Sequence, residues 1–324
     1  MASLVIFLKR IIFLTIIDFL NFWIMLPSLQ QLRFLVALAD ELHFGHAADR
    51  CHVTQSTLSN GIKELEAILG VSLAERSKRS VLLTPVGIEI AARARRLLAD
   101  ASDLVDSAKR HAGPFRGDLR LGAIPTVGPF LMPKVMPRLR ETYPDLRFYF
   151  REELTESLDA GLKAGRLDAI LIALPFPVEG LETVDLFDDN YQLATPLGHR
   201  LADRKSVAGR DLAGEKLLLL EKGHCLQRHA LSAFPDSHAT QDDTFAATSL
   251  VTLVSMVAEG LGITLLPQLA IDAGVTHGNR LALAPLVGAC PRSIVLAWRK
   301  TSARAEEFSE LAKIFREARA DLRA

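Results

Sequence analysis

Four consecutive leucines, Leu217 to Leu220, run into Glu221-Lys222-Gly223-His224-Cys225-Leu226, so a buried strand delivers an imidazole and a thiol to the turn at its end. The thiolate is the reactive form of cysteine, and nearby positive charge or a helix N-terminus lowers the thiol pKa and favours it. Cys225 is therefore a candidate nucleophile, and an inert, half-buried cysteine is the alternative the same residues allow. A second group carries a different chemistry. Ser56, Asn60 and Lys63, flanked by Thr57 and Ser59, are short donors and acceptors followed by a cation. On a helix surface they can approach base edges in a groove, and the free N–H groups of the helix start suit a phosphate. A merely solvated face is the alternative.

The elements that must position the second group favour the groove-facing reading. Leu58, Ile62, Leu65 and Leu69 recur at helical spacing, so a helix beginning near Thr54 buries one side and shows the other. Leu32, Leu35, Val36 and Ala39 form an earlier amphipathic helix, and Phe44-Gly45-His46-Ala47-Ala48 leads into a short second one ending near Cys51. The alanine pair permits close helix contact, and His52-Val53 leaves room only for a tight turn. This is a helix-turn-helix, whose second helix enters a major groove. Val71 to Ala74 and Val81 to Leu83 read as the strands of a wing, with Arg76, Lys78 and Arg79 placed for backbone phosphates. The candidate DNA contacts are thus Thr54, Gln55, Ser56, Thr57, Ser59, Asn60, Lys63, Arg76, Lys78 and Arg79.

Gly45-x-Ala47-Ala48, Gln55-Ser56-Thr57-Leu58-Ser59, Ile62, Leu65-Glu66, Leu69-Gly70, Glu75-Arg76 and Leu83-Thr84-Pro85-Val86-Gly87 together resemble the signature of LysR-type transcriptional regulators. The resemblance runs from about Leu26 to the end of the chain. It implies a sequence-specific regulator, not an enzyme, that binds double-stranded operator DNA as a homodimer or homotetramer, with RNA polymerase as a further partner.

Composition agrees with two domains and excludes several other classes. The 324 residues hold 38 basic and 38 acidic side chains, so nucleic-acid contact must be local rather than a diffuse polycation. Three widely spaced cysteines fit a reducing cytoplasm better than a disulfide framework. No Cys/His group has metal-ligand spacing, and no cofactor is implied. Residues 1–24 are apolar, but Lys9, Arg10 and Asp18 divide them into runs too short to span a bilayer. Met25 stands directly before Leu26-Pro27-Ser28-Leu29, where family members begin, so a misplaced start codon is the favoured reading over a membrane anchor.

From Ile88 to about His111 a long helix carries Ile90, Ala94, Leu97, Ala101, Leu104 and Ala108 in a heptad seam, the candidate dimerisation face. Gly113-Pro114-Phe115-Arg116-Gly117 breaks it. Beyond, strands near Leu119–Ile124, Arg147–Glu152 and Ala169–Leu174 alternate with helices, the βαβ rhythm of a largely parallel α/β sheet with sites at strand ends. The expected organisation is a winged helix-turn-helix at 25–87, a linker helix at 88–112 and an effector domain at 117–318. The resemblance further implies two lobes like those of periplasmic binding proteins, lobe I at 117–188 and 293–318 and lobe II at 189–292.

Within that family the second half is similar to the peroxide-sensing members. Gly223-His224-Cys225-Leu226, Ala247-Thr248-Ser249-Leu250, the run Met256 to Pro267, Arg292-Ser293-Ile294 and Ile124-Pro125-Thr126-Val127-Gly128-Pro129 carry this likeness. It implies hydrogen peroxide as signal, Cys225 as the peroxidatic thiol held by His224, hydroxyls from Thr126 and Thr155, and Arg292 as a nearby cation. Where those members carry a second, resolving cysteine this chain has Phe234, and Arg228 replaces an aligned acidic residue. Persistent sulfenic acid or a small-thiol adduct is then the first expectation, bonding to Cys290, which requires Cα atoms within about 7 Å, the second, and loss of peroxide sensing the third. Two other readings remain: a small ligand in the cleft touching Thr126, Thr155 and Ser249, and a thiol peroxidase using Cys225, in which a DNA-reading head has no role.

Overall fold

The computed structural model describes residues 26–76, 81–110, 115, 117–221, 240–241 and 247–323. By its contacts the chain divides into two compact units, one ending at Ser102 and one beginning at Asp103.

Among the described residues, the first unit holds three short helices, a two-stranded wing and the first part of a long helix. Helix α1 (Leu29–Glu41) starts at Ser28, whose hydroxyl accepts from the Gln31 N–H while the Gln31 side chain accepts from the Ser28 N–H. That reciprocal capping box satisfies two donors that a helix start otherwise leaves bare. Helix α2 (Phe44–Cys51) is capped by His43, whose ring nitrogen accepts from the N–H groups of Gly45 and His46. It ends at His52 in the left-handed conformation, φ 57°, which supplies the tight turn to helix α3 (Gln55–Leu69). Leu35, Leu38, Ala47, Leu58, Ile62 and Leu65 interlock in one core. Gly61 lies where α3 crosses α1: a Cβ there would stand 2.5 Å from the Phe34 ring, so only glycine lets the helices approach this closely.

The wing is shifted from its expected place. Its strands are β1 (Ala74–Arg76) and β2 (Val81–Leu83), paired antiparallel, and Val71 to Leu73 are not strand. Gly70 closes α3 in the left-handed region, and Glu66 reaches forward to accept from the N–H groups of Leu73 and Ala74, which ties the entry to β1 to the end of α3. Arg76 accordingly belongs to β1 and not to the joining turn.

The long helix α4 spans Pro85–Arg110, starting three residues before the sequence expectation because proline fits a first helical position. Its seam divides. Ala94 is buried and Ile90 half-buried in the core of the first unit, whereas Leu97 is 54% and Leu104 71% exposed.

Among the described residues, the second unit has two main sheets and a separate two-stranded pair. The larger has the order β4-β3-β5-β13-β6, with β3 (Gly117–Ala123), β4 (Leu146–Glu152) and β5 (Ala169–Leu174) mutually parallel. Helices α5 (Gly128–Thr142) and α6 (Thr155–Lys163) make the crossovers. The sheet is mixed rather than largely parallel: β13 (Arg292–Arg299) runs antiparallel to both β5 and β6 (Leu181–Asp189). The reason is connectivity. Strand β6 leads out to the second sheet and β13 leads back, so the two must run in opposite directions. The smaller sheet orders β11-β7-β12-β8, from β7 (Tyr191–Pro196), β8 (Val207–Ala208), β11 (Thr264–Pro267) and β12 (Leu281–Val287).

Leu217 to Leu220 are all buried, yet the regular strand there, β9 (Lys216–Leu217), is two residues long and pairs with β10 (Thr240–Gln241). Leu218 donates to Ile263 and Leu220 bridges to Ala247, so the run is held by isolated contacts. Helix α7 (Leu250–Ala258) packs on β7 and β11 of the smaller sheet, the short α8 (Gln268–Asp272) follows β11, and α9 (Ala305–Arg323) packs on α5 and β6. Each sheet has its own apolar core, and α8 serves both: Leu269 packs in the first and Ala270 in the second.

Candidate nucleic-acid interface and sensing cleft

On α3 the apolar side is consumed inside the first unit, and Gln55, Ser56, Thr57, Asn60 and Lys63 are exposed on the other, with Ser59 half-buried. Thr54 is the N-cap. Its Oγ1 accepts from the Thr57 N–H at 3.2 Å and lies 2.9 Å from Ser56 Oγ and 2.8 Å from Thr57 Oγ1. Its hydroxyl therefore works on the helix start, and the outward donors and acceptors are those of Gln55, Ser56, Thr57 and Asn60. Arg50 pairs with Asp40 and Glu41, and Arg95 with Asp40, tying α2 and α4 to α1 behind the reading helix. Lys78 and Arg79 lie outside the described residues.

In the second unit the structure brings two sensing candidates together. Thr126 sits in the turn after β3, where Val127 and Gly128 donate to the Ile124 carbonyl, and Arg292 opens β13. Arg292 Nη1 donates to Thr126 Oγ1 at 2.6 Å, and Nη2 donates to the Thr126 carbonyl at 3.1 Å. The guanidinium also meets Asp189, the last residue of β6, through Nε at 3.1 Å and Nη2 at 2.8 Å. Both side chains of this ion pair are 0% exposed. Asp189 spends its other oxygen on the N–H of Leu269 in α8, at 2.8 Å. Arg292 is thus a fully buried, fork-paired group rather than a simple nearby cation.

Thr155 lies at the end of the neighbouring strand, in the first turn of α6; β3 and β4 are paired with Ala123 opposite Glu152. Its hydroxyl is buried, and among the described residues it has no hydrogen-bond partner. A buried hydroxyl without a partner costs free energy, so its place at a strand end marks a site that a polar guest can complete. Burial also pushes the Glu152 carboxyl above the usual carboxylate range. Ser249 caps α7 by accepting from the Thr252 N–H at 3.2 Å, so its hydroxyl already has an internal task.

Cys225 and His224 lie outside the described residues, as do Arg228 and Phe234. Cys290 is exposed, two residues before Arg292. Cys51 is half-buried in α2, and desolvation pushes its thiol up, against the lowering effect of Arg33 and Arg50. A cavity of about 650 Å³, lined by Leu174, Pro175, Phe176, Pro177, Val178, Pro291 and Ser293, opens beside the start of β13; Thr126, Thr155 and Ser249 do not line it. Among the described residues no helix is long and apolar enough to cross a membrane, and residues 1–24 lie outside them.

Sequence reasoning missed Asp189, Glu66 and Gly61. Glu66 carried a usable signal, a carboxylate in the last turn of a helix just before a wing. Asp189 carried none, because its partners are distant in sequence.

A winged helix-turn-helix followed by a long helix and a two-sheet α/β body defines a transcription regulator with a separate signal-receiving domain. Residues 29–88 match the bacterial regulatory helix-turn-helix protein of the lysR family, and residues 112–320 match the LysR substrate binding domain. The chain belongs to the LysR family of DNA-binding transcriptional regulators.

Within it, the chain is 44% identical over 298 residues to the probable hydrogen peroxide-inducible genes activator of Streptomyces viridosporus, covering 91% of this chain and 96% of that protein. It is 42% identical over 289 residues to the DNA-binding transcriptional dual regulator OxyR of Escherichia coli, covering 89% and 95%. A full-length OxyR variant from Pseudomonas aeruginosa superimposes with a TM-score of 0.75 at 38% identity, covering 89% of this chain and 94% of that one. The chain is thus an OxyR-like LysR regulator.

Proposed function

We propose that this regulator responds to hydrogen peroxide by oxidation of Cys225 and that the change alters how paired reading helices sit on an operator. The observation that carries the reading is the pair of buried hydroxyls at adjacent strand ends, Thr126 held by Arg292 and Thr155 with no partner among the described residues. The names of the relatives point the same way. In the reaction the Cys225 thiolate forms an S–O bond as the O–O bond breaks, hydroxide leaves and takes a proton from solvent, and sulfur is oxidised to sulfenic acid. With Phe234 in place of a resolving cysteine, the sulfenic acid persists or is capped by a small thiol; a bond to exposed Cys290 is the second route.

The regulator works as a cytoplasmic homodimer or homotetramer alongside RNA polymerase, pairing through the later part of the α4 seam, Leu97, Ala101, Leu104 and Ala108. Exposed leucines seven apart on a long helix support that seam. The test is operator footprinting of wild type and Cys225→Ser with and without peroxide. A footprint that shifts only in wild type is expected, and the same shift in both proteins overturns the switch.

The cavity beside Pro291 favours a second reading, a small apolar ligand as signal. A ligand that binds the native state raises its melting temperature by mass action, so thermal shift against candidate metabolites separates the two.

A further inference from the structure

We propose that Asp189 is a positioning residue of the peroxide site, acting through Arg292 to fix Thr126 as a hydrogen-bond donor; this rests on the peroxide reading above. A hydroxyl has a single proton to give. Thr126 Oγ1 already accepts from Arg292 Nη1 at 2.6 Å, so its proton points away from the guanidinium and is held ready for an acceptor. Thr155 Oγ1 carries no such instruction among the described residues and can accept as readily as donate. The pair therefore offers one committed donor and one adaptable partner. That suits a guest whose two oxygens each donate and accept.

What commits Thr126 is the direction of Arg292, and what directs Arg292 is Asp189. The carboxylate takes Nε and Nη2 of the guanidinium on one oxygen, leaving Nη1 on the far side of the fork and aimed at Thr126. Its other oxygen is pinned by the Leu269 N–H at 2.8 Å, so the carboxylate cannot rotate without losing a buried hydrogen bond. The pair lies where Arg292 of β13 stands opposite Asp189 of β6, which holds both backbones in register. As the O–O bond breaks, charge develops on the oxygen that leaves as hydroxide, and a donor oriented in advance stabilises it.

The test is a double-mutant cycle on the full-length protein, reading the rate of Cys225 sulfenylation by hydrogen peroxide in wild type, Asp189→Asn, Thr126→Val and the double variant. Asp189→Asn is expected to slow the reaction about tenfold, a coupling typical of members of one network, and to slow it no further once Thr126 is valine. A merely structural role gives the same loss in both backgrounds, and that result, or no loss in either, overturns the proposal. Should Asp189→Asn fail to fold, Arg292→Lys takes its place in the cycle, keeping the charge beside Asp189 while losing the fork, with the same two outcomes. A wild-type rate no faster than that of free cysteine overturns the peroxide reading itself, whereas a fast wild type with additive losses overturns only the role of Asp189.

Discussion

The reading helix and the sensing cleft are built in opposite ways. Every outward group of the reading face comes from one stretch, Gln55 to Lys63, set by one cap and one apolar stripe. The cleft cluster draws Thr126, Asp189, Leu269 and Arg292 from the turn after β3, the end of β6, helix α8 and the start of β13. A face of the first kind is a local property, in which single changes subtract roughly what they contribute. A cluster of the second kind is cooperative, because every member fixes another and removing one strands a buried polar group.

The largest expected effect lies in the cleft. Arg292→Met leaves Asp189 buried without its counter-charge and unlaces β13 from the turn after β3, and cutting one partner of a buried ion pair costs about 3–5 kcal/mol. Urea denaturation of the full chain measures it, with the loss expected in the transition of the second unit. A cost under about 1 kcal/mol, the range of exposed pairs, breaks the contrast.

Next is Gly61→Ala. Helix propensity alone favours alanine by about 1 kcal/mol, but the new Cβ would stand 2.5 Å and 2.7 Å from two ring carbons of buried Phe34. Overpacking a close helix crossing costs about 1–3 kcal/mol, so the clash wins and the first unit melts at lower temperature. A gain in melting temperature means that Phe34 can move aside, and the head is then less tightly packed than the crossing implies.

The same contrast explains what was legible in the sequence. Helices α1 to α3 follow from Leu32, Leu35, Leu58, Ile62 and Leu65, because a 3.6-residue period exposes one face and hides the other. The apolar run Ala169 to Leu174 marked a buried parallel strand for a similar reason: helices cover both faces of it. The antiparallel β13 was not legible as such, since its direction is set by a return from the second sheet and not by its own side chains. The wing slipped because Val71 and Leu73 look like strand residues, whereas the Glu66 carboxylate takes the Leu73 N–H and the Glu66 carbonyl takes the Val71 N–H. In the cleft, Thr126 and Arg292 were named through resemblance. Asp189 is one of two adjacent aspartates, Asp188 and Asp189, and nothing local says which of them turns inward. The strand period decides it, and only once the sheet is known.

Smaller still is Thr54→Ala at the start of the reading helix. Loss of the cap to the Thr57 N–H costs about 1 kcal/mol, with operator affinity falling by up to the equivalent of about fivefold because Ser56 and Thr57 lose their hydroxyl partner. Fluorescence anisotropy with an operator duplex measures this. Because the effect is local, it should add to that of Lys63→Ala instead of compounding it, and strong coupling between the two refutes the picture of a face built residue by residue.

The smallest expected effect sharpens the comparison inside the second unit, where Asp168 offers a buried carboxylate with a poorer partner than Asp189 has. Asp168 accepts from the Arg120 N–H at 2.7 Å, but its nearest guanidinium nitrogen, on Arg304, is 3.6 Å away, and Arg304 spends Nε and Nη2 on Glu307. Burial therefore wins over the Arg120 N–H and the guanidinium charges, and pushes the Asp168 carboxyl above the usual carboxylate range. With the folded pKa raised, the native state holds this proton more tightly than the unfolded chain does. The associated stability is fully present below the ordinary range, from about pH 4, and is lost as pH rises through the folded value. Asp168→Asn keeps an oxygen to accept from Arg120 and removes the ionisation. Measured by urea midpoints across a pH series, the variant should gain on wild type as pH climbs through that window and then hold its advantage to neutrality. If wild type instead gains on the variant with rising pH, the Arg304 charge outweighs burial, and a 3.6 Å partner serves a buried carboxylate better than the geometry implies.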